Sequence, residues 1–115
     1  MKNPWLIIAG FFGLTGVALQ AFLAHALKGS LSEKHLMCLE TGSKYQMLHA
    51  IVLLILASNP DFLKSYAPIA FVLGICMFSG SLYLLAADVP HIGWVTPIGG
   101  IMLLLGWFFI LLQGW

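Results

Sequence analysis

Four apolar runs, separated by short breaks rich in proline and charge, constrain this chain more than any other feature. They cover residues 5–27, 45–58, 66–87 and 93–113. A bilayer core about 30 Å thick calls for roughly 20 consecutive apolar residues in a spanning helix. The second run reaches that length only if its helix starts upstream, near Glu40, which sets the predicted spans at 5–27, 41–58, 66–87 and 93–113. Asn59-Pro60-Asp61 and Asp88-Val89-Pro90-His91 end the second and third spans, since proline cannot continue a helix. Composition agrees: 61% of residues are hydrophobic, 8% are charged, and the mean hydropathy is +1.00. A soluble surface needs about a quarter of its residues charged. The first run, with Lys2 before it and Ala24-His25-Ala26 at its end, imitates a secretory signal. It is longer than the h-region of such a signal, about 7–15 residues, which argues for a retained span.

The same composition excludes several functions. A net charge of +1 provides no basic face for nucleic acid. Every basic residue is lysine, so the bidentate guanidinium clamp is absent. Cys38 and Cys76 lie in different segments with no metal-finger spacing. No cofactor motif is present, and none is expected.

The first loop has substance. Ser30-Leu31-Ser32-Glu33 fits a capping box, and residues 31–40 mix apolar and charged side chains as an interfacial amphipathic helix does. That helix either continues into the second span or bends at Gly42. Small residues punctuate the spans, notably Ala9 and Gly13 in the first, where they suit bundle packing or a homo-oligomer interface. Trp5, Tyr66 and Trp115 are expected at one membrane interface, and Tyr45 and Trp94 at the other. The predicted fold is therefore all-α: an integral-membrane, up-down bundle of four transmembrane helices with an interfacial helix in the first loop.

Antiparallel neighbours bring the ends of spans one and three to the same membrane face as the starts of spans two and four. We call it face B, and the opposite face, which carries the amino terminus, face A. His25, Glu40, Tyr45, Gln46, His49, Ser79, Ser81, Tyr83 and Thr96 all fall toward face B, whereas Gln20 and Gln113 stand outside the group. Polar groups in lipid are costly unless they pair, so these should point inward and meet. Tyr45 and Gln46 lie four and three residues before His49, close enough to share a helix face. The plainer reading is a hydrogen-bond network that sets helix register. The functional reading is a pocket for a lipid headgroup, an ion or a small polar molecule, in which His49→Leu abolishes ligand retention. Metal binding by His25, His49 and Glu40 lacks any single-helix ligand spacing. Nucleophilic catalysis by Ser79 or Ser81 lacks the strand-turn-helix elbow.

Ala21–Gly29, Glu40–Ala50, Phe78–Leu85 and Val95–Trp107, read as AFLAHALKG, ETGSKYQMLHA, FSGSLYLL and VTPIGGIMLLLGW, resemble the domain-of-unknown-function 423 family. These are small bacterial membrane proteins related to transmembrane protein 256 of animals. The resemblance covers nearly the whole chain. It implies four spans in the bacterial plasma (inner) membrane and no established activity. Its motif residues largely coincide with the face-B group. Leu23 departs from the small residue usual in the family's first motif, which puts close helix approach there in doubt. Lysines are balanced between the two faces, so the expectation of cytoplasmic termini rests on the resemblance. The expected function is a non-enzymatic membrane protein with a polar pocket near one leaflet and membrane lipids as partners. The alternatives are an oligomeric transporter or channel, and an enzyme acting on lipid through a histidine.

Overall fold

A computed structural model describes residues 3–27 and 29–114, with the side chains of residues 26 and 27 left aside. Lys2, Lys28 and Trp115, the last expected at a membrane interface, lie outside the described residues. Helix α1 spans Pro4–Phe22 and continues as a π-helical turn over Leu23–Leu27. Asn3 caps it, its Oδ1 accepting from the Leu6 amide at 3.2 Å, and Pro4 occupies a first-turn position where no amide is needed.

Helix α2 runs without a break from Glu33 to Ala57. Residues 33–40 are therefore its first turns and not a separate element. The helix does not bend at Gly42 because that glycine is a packing position: a Cβ there would lie 2.7 Å from Cε1 of Tyr83. The cap is Ser32, whose Oγ accepts from the His35 amide, so the expected box beginning at Ser30 is displaced by two residues. A single turn, α3 (Pro60–Leu63), leads to α4 (Ala67–Ala86) and α5 (Val95–Gly114).

The closest packing follows chain order: α1 on α2, α2 on α4, and α4 on α5. The molecule measures 45 × 30 × 21 Å, flatter than the compact bundle expected from the sequence. Glycine makes the α4–α5 seam tight. A Cβ on Gly99 would fall on the backbone of Phe78, and one on Gly106 would meet the Phe71 ring at 2.6 Å. A cluster of Ala9, Leu53, Leu56, Ala67, Phe71, Ile75 and Leu103 fills the half toward face A.

The usual solvation pattern is inverted. Leu14, Leu104 and Leu111 are 73%, 68% and 65% exposed, while Ser43, Gln46, His49, Ser79 and Ser81 are at most 5% exposed. Apolar outside and polar inside suits hydrocarbon as solvent. Three helical segments, Pro4–His25, Ala67–Ala86 and Val95–Gly114, are long and apolar enough to cross a membrane. Helix α2 is longer than any of them, but its first half is too polar to qualify on composition.

Candidate functional site

The interior polar groups meet toward face B, as expected, but divide into separate sets. The hub of the first is Gln46. Its Nε2 donates to the Phe12 carbonyl at 2.9 Å and to Thr15 Oγ1 at 2.6 Å, and its Oε1 accepts from the Tyr83 hydroxyl at 2.6 Å. One amide thereby ties α1, α2 and α4 together. Ser43, one turn earlier, donates to the Leu39 carbonyl and accepts from Gln20 Nε2 at 2.6 Å. Gln20 thus belongs with the group from which the sequence reading separated it. Ser79 Oγ donates to the Gly42 carbonyl at 2.6 Å, across the contact that Gly42 opens.

His49 forms a second set, facing α5. Its Nδ1 lies 2.8 Å from the Tyr45 carbonyl, and its Nε2 lies 3.1 Å from the Trp107 indole nitrogen. A carbonyl only accepts and an indole N–H only donates, so the proton sits on Nδ1 and Nε2 is the acceptor. Both ring nitrogens are then occupied. The Tyr45 and Trp107 rings flank the imidazole at centroid distances of 6.2 and 6.0 Å. Ser81 and Thr96 pair with each other at 2.5 Å between α4 and α5. Among the described residues, no buried side-chain nitrogen or oxygen lacks a partner.

His25 is not part of this arrangement. It lies exposed on the π-helical turn after α1, so the expected meeting of the two imidazoles does not occur. The widened turn re-aims the side chains that end span one, and 3.6-residue periodicity cannot anticipate that. Glu40 is exposed on the outer side of α2, and Tyr45 is 40% exposed. His25, His49 and Glu40 do not converge, and no group of three metal-ligating side chains does so among the described residues. Thr15, Ser43 and Trp107 are partners the sequence reading did not assign. Ser43 was detectable, since it sits three residues before Gln46 on the same helix.

The two larger open spaces lie on one face of the α1–α2 pair. Near face B is a depression of about 460 Å³ lined by Gln20, Glu40, Lys44 and Met47. Below it, toward face A, runs an apolar trough of about 400 Å³ between Leu6, Ala9, Gly10, Gly13 and Val17 of α1 and Met47, Ala50, Ile51 and Leu54 of α2. Met47 lines both. A Cβ on Gly10 or Gly13 would meet nothing within 4 Å, so missing side chains leave room there. Two smaller grooves, about 280 Å³ each, open onto the interior sets: Gln46, Ser79 and Tyr83 line one, and Tyr45, His49 and Trp107 line the other.

No solved structure matches the chain. Sequence relatives do. It is 41% identical over 111 residues to a UPF0382 membrane protein of Haemophilus influenzae, covering 93% of this chain and 90% of the relative. It is 36% identical to the UPF0382 inner membrane protein YgdD of Escherichia coli over 92% and 85% of the two chains. It is 34% identical to the UPF0382 membrane protein YwdK of Bacillus subtilis over 92% and 91%. Residues 19–100 match the family described as "Protein of unknown function (DUF423)". That stretch holds Gln20, Ser43, Gln46, His49, Ser79, Ser81, Tyr83 and Thr96, so the interior network built here lies almost entirely within it. The relatives span the chain nearly end to end and are themselves named membrane proteins, and this protein is a member of that family.

Proposed function

We propose that this is a non-enzymatic, four-span membrane protein that binds a phospholipid along the α1–α2 face. The observation that carries the reading is the adjacency of a depression lined by Gln20, Glu40 and Lys44 to an apolar trough, with Met47 lining both. The two are stacked along the helices in the order that a headgroup and an acyl chain take in a leaflet. Below Glu40, α2 continues for about 26 Å to Ala57, within the range of a spanning helix and so sufficient for a fourth span. Its polar half is tolerable in lipid because Ser43, Gln46 and His49 are bonded internally. Of the residues first assigned to a pocket, Glu40 lines the depression, while Gln46 and His49 are engaged behind it.

A Cβ at position 13 meets nothing within 4 Å, so Gly13→Leu directs its side chain into the trough. The variant should remain folded and lose the phospholipid that co-purifies with the wild type, as read by native mass spectrometry of detergent-extracted protein. Unchanged lipid retention would overturn the reading. A changed oligomeric state with unchanged lipid would assign the trough to a second copy's helix.

A further inference from the structure

We infer that the lipid is selected by its headgroup, and that the preferred headgroup is a primary-amine zwitterion of the phosphoethanolamine type. This rests on the proposed lipid groove and adds the chemistry of its rim. Glu40 and Lys44 stand four residues apart on α2, so they share a helix face, separated by about 6 Å of axial rise. A glutamate four residues before a lysine is the favourable order for an ion pair. They do not form one: the ion pairs among the described residues are His35–Asp88 and Lys64–Asp61. Both carry opposite charge into the same depression, together with the Gln20 amide.

Their order along the membrane normal matters. Helix α2 enters from face B, so Lys44 lies a turn deeper than Glu40. In a zwitterionic phospholipid the phosphate is attached to the glycerol and lies deeper, while the ammonium lies farther out. Lys44 therefore meets the phosphate, and Glu40 the ammonium, with no inversion of the headgroup. Lysine suits this depth because a long apolar stem lets its amine reach the headgroup level. A carboxylate rewards N–H donors. Choline has none and is usually held by aromatic faces, whereas this rim is lined by Gln20, Glu40, Lys44 and Met47. A glycerol headgroup offers no cation to Glu40.

The test uses the full-length protein in detergent micelles, titrated with phosphatidylethanolamine, its mono- and dimethyl forms, phosphatidylcholine and phosphatidylglycerol, all with the same acyl chains. Binding is read by native mass spectrometry. Phosphatidylethanolamine should bind about tenfold tighter than phosphatidylcholine or phosphatidylglycerol, the effect of one charge-assisted hydrogen bond. The methylated forms should fall between, in order. Glu40→Gln should reduce the preference over phosphatidylglycerol to less than about twofold, and Lys44→Gln should weaken every phospholipid while retaining the ethanolamine-over-choline order. Lys64→Gln, on the opposite face, should change nothing. Equal affinities for the wild type, or a preference that survives Glu40→Gln, would overturn the inference. If the preference is absent but Gly13→Leu still empties the groove, headgroup selection fails alone. If Gly13→Leu leaves every lipid bound, the groove fails and the headgroup inference with it.

Discussion

Replacing Gln46 with leucine removes three hydrogen bonds that join three helices. Interhelical bonds in membranes average about 0.6 kcal/mol, so Gln46→Leu should cost about 2 kcal/mol and Tyr83→Phe about a third of that. Unfolding in mixed detergent micelles measures both. His49→Leu takes the acceptor from the Trp107 indole. It should shift indole fluorescence and lower stability while leaving phospholipid retention unchanged, because His49 does not line the α1–α2 face. This reverses the outcome expected when His49 is read as a ligand. Residue identity alone showed that an amide and an imidazole near the start of a span must find partners. It did not show that Thr15 and Trp107 would be those partners. Gln46 and His49 are three positions apart on a helix, about 60° apart in projection, enough to aim one at α1 and α4 and the other at α5.

Among the elements, the α4–α5 pair depends on glycine where backbones nearly touch. Gly99→Ala places a methyl on the Phe78 backbone, which cannot rotate away as a side chain would. The cost should reach about 3 kcal/mol or more, at the upper end of overpacking effects. Gly10→Ala, facing open space in the trough, should be neutral or slightly stabilising, since alanine is the better helix former. The two variants, compared by thermal unfolding in the same detergent, separate packing glycines from those that make room. The sequence reading treated all such glycines as one class, because spacing reports which residues are small and not what stands opposite them. The same reading places α4 and α5 more closely than α2, which starts at Glu33 and not at residue 41. The ends of α4 and α5 fall within two residues of the predicted spans, as the proline-containing breaks require. The join between loop and α2 was beyond it: Gly42 reads as a possible bend until the Tyr83 ring is seen against it.

For the whole molecule, the count of crossings rests on α2, the one long helix whose composition falls short of a span. Single cysteines introduced at Ser30, Ser65 and Pro90, in a background with Cys38 and Cys76 replaced by serine, decide it. With four crossings, an impermeant thiol reagent applied to intact cells should label positions 30 and 90 alike and position 65 oppositely. Positions 30 and 65 labelled from the same side would mean that α2 does not cross. The 30 × 21 Å cross-section places α1 and α5 toward opposite ends of the molecule. The groove is lined by α1 and α2 alone, on the side of that pair turned away from α4.

By itself, the order of apolar runs and breaks determined an all-helical membrane protein whose polar side chains gather toward one face. Hydrocarbon offers those groups no partner, so their presence near one end of several spans already demands convergence. Only the tertiary structure decided which groups pair, that His25 stays outside, and where grooves open between the helices. Those outcomes depend on helix rotation and on which glycines let neighbours approach, and such contacts join residues tens of positions apart that no local pattern relates.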